Sequence, residues 1–178
     1  VAAFIAEPVM GAGGVVPPPE GYFQEIQAVL RKYDVLLIAD EVITGFGRTG
    51  KWFASETYDI EPDIMTLAKG LTSGYIPMSA SVISEDIWQV LMNGTPEMGA
   101  FAHGYTYSAH PIAAAAAMAN LDIMEREDLP TNSSRMGTYF QNKLKQELAD
   151  HPLVGDVRGV ALVAGVELTA DKPGKSAF

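Results

Sequence analysis

The chain contains no cysteine. Disulfides, thiolate nucleophiles and cysteine-ligated zinc are therefore excluded within it. Histidine is scarce: His103, His110 and His151 are the full set, and no two stand at the helical spacing of a metal-ligand pair. Singly, they read as surface or capping residues. Basic residues are also few. The chain has 12 Lys and Arg against 22 Asp and Glu, a formal net charge of −10. A nucleic-acid surface needs a basic stripe to neutralise phosphates, so that class is excluded. An anionic cofactor is not, since backbone N–H groups bind phosphate even in an acidic protein. No apolar run approaches the ~18 residues of a membrane span, and no membrane partner is expected. An initiator methionine is missing too: the chain opens on Val1, already inside a strand pattern. It reads as an internal piece of a longer protein, with any targeting signal outside it.

What is present is an ordinary core-forming composition, 48% hydrophobic over 178 residues. Strand and helix patterns alternate. A strand over about 1–9 leads into the glycine and proline stretch from Gly11 to Pro19. Tyr22, Phe23, Ile26, Val29 and Leu30 then recur at helical spacing. Strands are expected at 35–40, near 63–67 and at about 78–84. Ser84 is placed to cap a helix opening on Glu85 and Asp86. An alanine-rich helix is expected from Pro111 to about Arg126, with the proline in its first turn. The composition changes near Glu127, which puts a domain boundary near residue 128. Beyond it a charged amphipathic helix precedes a glycine-punctuated strand region over 154–168. This order implies an α/β layer fold with a largely parallel sheet.

Two placements carry the chemistry. The run Val35-Leu36-Leu37-Ile38-Ala39-Asp40-Glu41-Val42 is a buried-strand pattern that ends in two carboxylates. Lys69 follows the next apolar segment, just ahead of Gly70-Leu71-Thr72-Ser73-Gly74. Sheets of this kind bind ligands beyond the carboxyl ends of their strands. An acid and a lysine on neighbouring strand tips are what a pyridoxal phosphate enzyme needs. The lysine forms a Schiff base with the aldehyde and later moves a proton between carbon atoms. The acid keeps the pyridine nitrogen protonated through a charge-assisted hydrogen bond. Asp40 is the better candidate, because Glu41 points to the opposite face of the strand. The same alternation places Val42 with Asp40, beneath the ring. Alone, Lys69 would read as a solvated loop lysine and Asp40 as a turn acid; their joint placement carries the reading.

Gly45-Phe46-Gly47-Arg48-Thr49-Gly50 matches G-x-G-x-x-G, with Asp63 near the distance of a ribose-binding acid. A dinucleotide site is not expected from it. The glycines do not follow the strand directly, and bulky Lys51-Trp52-Phe53 stands where a closely packed helix should open.

The stretch Ala39 to Gly50, with Ala68-Lys69-Gly70-Leu71 at the matching distance, resembles the central motif of the class III aminotransferases. Ala6-Glu7-Pro8-Val9 with Gly11-Ala12-Gly13-Gly14 resembles their upstream strand and loop. His103-Gly104-Tyr105-Thr106-Tyr107-Ser108-Ala109-His110-Pro111 resembles their dimer-interface loop. The resemblance implies a fold type I pyridoxal 5'-phosphate enzyme, cytoplasmic, built as a homodimer with shared active sites. Residues 1–127 would be part of the cofactor-binding large domain, and 128–178 the start of a small α+β domain. Lys69 would carry the Schiff base, Asp40 would pair with the pyridinium, and Val42 would lie against the ring. Thr106, with the backbone near Tyr105, would reach the phosphate of the partner subunit's cofactor. Glu7 corresponds to a glutamate that in some members pairs with a substrate-gating arginine; holding the following glycine loop is its alternative role.

Ile43 stands where members acting on 4-aminobutyrate or ornithine carry glutamine. This favours the branch that moves an amino group from an ω-amino acid or amine to a keto acid, pyruvate above all. Ala109 stands where a glycine is frequent. Arg48 is expected to tie carboxylates structurally, and Trp52, Phe53 and Tyr75 to pack in the core or an interface. The family's own-subunit phosphate loop, ring-stacking aromatic and C-terminal arm lie outside these residues, so the segment alone is not expected to turn over. Competing readings are an aminomutase or decarboxylase of the same fold, or a non-catalytic α/β binding domain.

Overall fold

Two apolar segments, Ala3–Ala6 (β1) and Leu36–Asp40 (β2), pair in parallel, with Phe4 opposite Leu37 and Ala6 opposite Ala39. Parallel neighbours need a crossover, and helix α1, Tyr22–Lys32, supplies it. The helix starts at Gly21, whose φ of +79° costs a residue without Cβ nothing. Arg31 and Lys32 in its last turn complement the helix dipole. Phe23 packs on Leu37 and Ile60, flanked by Phe4, Leu30 and Tyr58. Buried Gln27 ties the helix to the next loop: its amide donates to the Asp59 carbonyl at 3.0 Å, and its Oε1 accepts the Glu61 N–H at 2.8 Å. Burial pushes the neighbouring Tyr58 phenol above its usual pKa.

The computed structural model describes all 178 residues. Ile64–Leu67 (β3) joins β2 in parallel, with Asp40 opposite Thr66. Ala80–Ile83 (β4) joins β3 antiparallel, giving the order β1-β2-β3-β4. Three strands run parallel and the fourth antiparallel, within the largely parallel sheet expected. The link from β3 to β4 holds a single 3-10 turn, Lys69–Leu71, and no crossover helix, so the chain returns along the sheet in the opposite direction. The first strand is shorter than expected. Beyond Ala6 the chain leaves the sheet at Pro8, and an isolated Met10–Val16 bridge closes the glycine loop as a hairpin.

A short helix α2, Ala54–Thr57, precedes β3. Helix α3, Glu85–Met98, begins as expected at Ser84, whose hydroxyl accepts the Ile87 N–H at 3.4 Å. Helix α4, Pro111–Arg126, has its proline in the first turn and buries Ala113, Ala117 and Met124. Ala117 and Met124 meet Phe46, Leu67 and Leu71 in the main apolar cluster. Asp128 then turns left-handed, φ +46°, and α5 runs from Leu129 to Leu148. It packs on an antiparallel hairpin, Val154–Val160 (β5) and Val163–Leu168 (β6). Gln141 of α5 donates to the Ala161 and Val163 carbonyls at 2.9 and 3.1 Å. Arg158 Nε of β5 donates to the Gly14 carbonyl at 2.9 Å, which joins the hairpin to the glycine loop after β1. No helix is long and apolar enough to cross a membrane.

Gly137 is where α5 touches the β5–β6 turn, and a Cβ there would overlap the Ala161 backbone. Gly137→Ala in the full-length protein should cost about 1–3 kcal/mol through overpacking. Thermal denaturation reads this as a lower midpoint; an unchanged midpoint would show that this contact is looser than described.

Candidate active site

The two carboxylates at the end of β2 separate sharply. Asp40 is half-buried at the strand tip. Its Oδ1 accepts the Val42 N–H at 3.1 Å, while Oδ2 takes no protein donor. Glu41 is completely buried. Its backbone extends the ladder by one bond, N–H to the Thr66 carbonyl at 3.0 Å, and its side chain turns the other way. Oε2 accepts the Thr44 hydroxyl at 2.5 Å and the Ala54 N–H at 3.1 Å. Oε1 accepts the Ser55 N–H at 2.6 Å and the Ser55 hydroxyl at 2.7 Å. Strand geometry thus keeps Glu41 away from Asp40, in line with the alternation argument. The same argument fails for Val42. The strand stops at Asp40, and Val42 lies in the turn that follows, held to Asp40 by its own N–H rather than by a shared sheet face.

The turns over 42–50 do not open a helix, which removes the structural context a dinucleotide fingerprint requires. Instead they fold back on the sheet. Phe46 is left-handed, φ +60°, and its ring meets Phe53 edge-on at 5.5 Å. It also lies close to Gly70: a Cβ on Gly70 would lie 2.9 Å from Phe46 Cβ. Arg48 is exposed and forms no ion pair, so the expected tie to carboxylates is absent. Its carbonyl takes the Leu162 N–H at 3.3 Å instead.

Lys69 opens the 3-10 turn after β3 and is exposed. Its φ is +40°, a conformation that costs a residue with a Cβ about 1–2 kcal/mol. The turn closes through Leu71 N–H to the Ala68 carbonyl at 2.9 Å and Thr72 N–H to the Lys69 carbonyl at 3.3 Å. Buried Leu71 and Thr72 anchor it, and the Thr72 hydroxyl donates to the Ile76 carbonyl at 2.7 Å. Since Asp40 pairs with Thr66, three residues before Lys69, both side chains belong to the carboxyl edge of adjacent parallel strands.

The other candidates lie apart. Glu7 Oε2 accepts the Gly11 N–H at 2.7 Å, and a Cβ on Gly11 would lie 2.5 Å from Ile43 Cδ1. Glu7 therefore holds the glycine hairpin against the loop that follows Asp40. Tyr105 and Thr106 sit on an exposed loop, where the Tyr105 N–H donates to Ser108 Oγ and the Ser108 N–H returns to the Tyr105 carbonyl, both at 2.9 Å. Ala109 closes this loop at φ +56°, which gives the methyl absent from a glycine its conformational cost. A cleft of about 720 Å³ separates this loop from Ile76–Ser79, and neither Asp40 nor Lys69 lines it. Sequence reasoning missed the role of Glu41. Thr44, three residues on, was the one local signal; Ala54 and Ser55 are distant along the chain.

This donor set fits pyridoxal phosphate. A carboxylate with one uncommitted oxygen and a lysine amine free of ion pairs face the same edge of the sheet. Such an α/β edge with an acid and a lysine suits a pyridoxal phosphate enzyme, and comparison narrows it. The family model for aminotransferase class III matches residues 1–178. The chain belongs to the class III aminotransferases, a family dependent on pyridoxal 5'-phosphate. It is 61% identical over 178 residues to an uncharacterized aminotransferase, y4uB, of Sinorhizobium fredii. It is 56% identical to the diaminobutyrate–2-oxoglutarate transaminase of Halomonas elongata and 52% identical to the putrescine–pyruvate aminotransferase of Pseudomonas aeruginosa. In each case all of this chain aligns with 38% of the relative, so the chain spans well under half the length of these curated proteins. Among solved structures, the omega transaminase of Pseudomonas jessenii in complex with PMP superposes with TM-score 0.95 at 49% identity, covering 100% of this chain and 39% of that one.

Removing Glu41 leaves four buried donors without an acceptor. Glu41→Ala in the full-length protein should cost at least about 3 kcal/mol, since each unsatisfied group costs ~1–3 kcal/mol. The denaturant midpoint checks this, and a loss below ~1 kcal/mol would mean the carboxylate is not the anchor of its loop.

Proposed function

We propose that the full-length protein is an aminotransferase that takes an amino group from an ω-amino acid or amine and passes it to a keto acid, with pyruvate as the preferred acceptor. The observation that carries the reading is the register that sets Asp40 opposite Thr66 and so brings Asp40 and Lys69 to one sheet edge. The amine donor class is supported by the relatives named for diaminobutyrate and putrescine, and a keto acid acceptor by the same two, named for 2-oxoglutarate and for pyruvate. The preference for pyruvate rests on the second and on Ile43, which cannot hydrogen-bond as a glutamine would.

In this reading Lys69 Nζ would hold the cofactor through its aldehyde and would be the group that carries a proton. Asp40 would hold the pyridinium N–H through its uncommitted Oδ2, with the carboxylate oriented by the Val42 N–H on Oδ1. Val42 offers an apolar surface to the ring. When bound, the cofactor supplies the electron sink and the aldehyde and amine forms with which donor and acceptor react in turn. The Tyr105 backbone and the Thr106 hydroxyl serve the cofactor phosphate of the partner subunit in a homodimer; the exposure of their loop supports a role outside their own sheet. For Glu7 the loop-holding role is favoured, because one oxygen is already engaged by Gly11. A domain division near residue 128 goes with the reading, supported by the left-handed Asp128 between α4 and α5.

Lys69→Ala should abolish turnover, and borohydride reduction followed by peptide mapping should place the cofactor on Lys69 of the parent enzyme. Label on another lysine would defeat the assignment. Asp40→Asn should slow the half-reaction with an amine donor about 100-fold or more while the fold is kept; a near-normal rate would make Asp40 structural. With putrescine as donor, alanine should form from pyruvate faster than glutamate from 2-oxoglutarate. The reverse preference overturns the acceptor, and carbon dioxide release in place of amino transfer overturns the reaction class.

Thr106→Val keeps the side-chain shape and removes the hydroxyl, so cofactor affinity should fall while the dimer mass stays unchanged. Mixing this variant with Lys69→Ala sharpens the test. In the mixed dimer the intact Lys69 site takes Thr106 from the other subunit, and cofactor retention should return there. If that site holds cofactor no better than the Thr106→Val homodimer, the threonine serves its own subunit.

A further inference from the structure

Asn120 occupies an unexpected place on α4. The inner face of that helix runs Ala113, Ala117, Asn120, Met124, at the spacing of an apolar stripe. An amide in such a stripe is unfavourable unless its hydrogen bonds are made. All of them are made to one distant turn. The amide nitrogen donates to the carbonyls of Gly70 at 2.8 Å and Leu71 at 3.1 Å, and Oδ1 accepts the Ser73 hydroxyl at 2.6 Å. The only other polar neighbour is Met124 Sδ, 3.7 Å from the same nitrogen. The three residues held, Gly70, Leu71 and Ser73, lie within the four that follow Lys69.

We infer that Asn120 is a positioning residue for Lys69. The inference rests on the reading of Lys69 as the cofactor-bonding amine. The turn is one residue of left-handed backbone, φ +40°, followed by a single 3-10 turn. So short a turn leaves the Leu71 carbonyl without a helical partner beyond it, and the Gly70 carbonyl with only the Ser73 N–H at 3.4 Å. Phe46 presses on Gly70 from one side, and the Asn120 amide grips the carbonyls of Gly70 and Leu71. Without the amide the Leu71 carbonyl loses its partner and the Gly70 carbonyl keeps only the longer Ser73 bond. Helix α4 then touches the turn through the apolar packing of Ala117 and Met124 alone, which fixes no carbonyl direction. The helix that buries the core thereby also fixes the lysine backbone.

Asn120→Ala removes all three bonds, and Asn120→Asp keeps the acceptor while setting a carboxylate against two carbonyls. In the cofactor-free full-length protein, the amides of Leu71 to Ser73 should exchange with solvent about tenfold faster, while those of β2 stay unchanged. In the loaded enzyme, the visible circular dichroism of the bound cofactor should fall. The kcat should drop about tenfold with little change in KM for the amine donor. A purely structural role would lower Tm but leave the dichroism and kcat unchanged well below the transition. Unchanged exchange and dichroism in a folded variant, with borohydride label on Lys69, overturn the inference alone. Label on a different lysine overturns the reading of Lys69 and the inference with it. If neither variant folds, Ser73→Ala at its exposed position decides. It frees one of the three bonds and should move exchange and dichroism the same way, by about twofold to threefold; no movement overturns the inference.

Discussion

The site depends on one buried charge without a counter-ion. Glu41 sits fully inside the protein and is balanced by four hydrogen bonds rather than by a cation. Taking a carboxylate out of water costs several kcal/mol, and only a complete set of donors offsets it. All four donors come from the stretch between Thr44 and Ser55, so satisfying the charge forces that stretch to wrap around the end of β2. The wrapped loop carries Phe46 onto Gly70 and Phe53 onto Phe46. The backbone of Lys69 is therefore shaped in part by a carboxylate that has no place in the proposed chemistry.

Adjacent acids come to opposite uses through strand geometry alone. Consecutive residues at a strand end point to opposite sides. Glu41 enters the interior, where donors are plentiful, and every lone-pair direction it needs is answered. Asp40 stays at the rim with one oxygen uncommitted. Exchanging the two residue types would not exchange the roles. The shorter Asp at position 41 would fall short of donors on Ala54 and Ser55, and the longer Glu at position 40 would lose the tight bond to the Val42 N–H that fixes its carboxylate.

Features set by local pattern were legible in the sequence. The β2 and β3 runs, the Ser84 cap and the Pro111 start all follow from neighbours a few residues away, and each stands where periodicity placed it. What was not legible has a different cause. Which strand of a largely parallel sheet runs antiparallel depends on what the connection after Lys69 lacks, a crossover helix, and the apolar run of β4 is the same in either direction. Strand alternation could not be carried on to Val42, because β2 ends at Asp40; its place against the ring stays a proposal. Arg48 has a side chain that binds carboxylates well, but the fold brings none to it. The reach from Glu41 to Ser55 and from Asn120 to Gly70 joins residues with no periodic relation, so neither could be seen before the topology was known.

Left-handed backbone occurs along the whole chain, at Val15, Ser73, Ala161 and Lys175 among others, and three such residues adjoin the proposed chemistry. Asp34, Asp59 and Asp128 also adopt positive φ, but aspartate tolerates that region through local hydrogen bonds. Phe46, Lys69 and Ala109 have no such relief, and each costs about 1–2 kcal/mol. Phe46 shapes the turn after Asp40, Lys69 is the amine itself, and Ala109 closes the Thr106 loop. Burial elsewhere, in the cluster of Phe46, Leu67, Leu71, Ala117 and Met124, holds these conformations in place. The consequence is preorganisation. A lysine on a relaxed loop would lose backbone freedom each time it engaged a ligand, weakening the interaction by that amount. Here folding has already ordered the backbone of Lys69, and engagement restricts only the side-chain torsions.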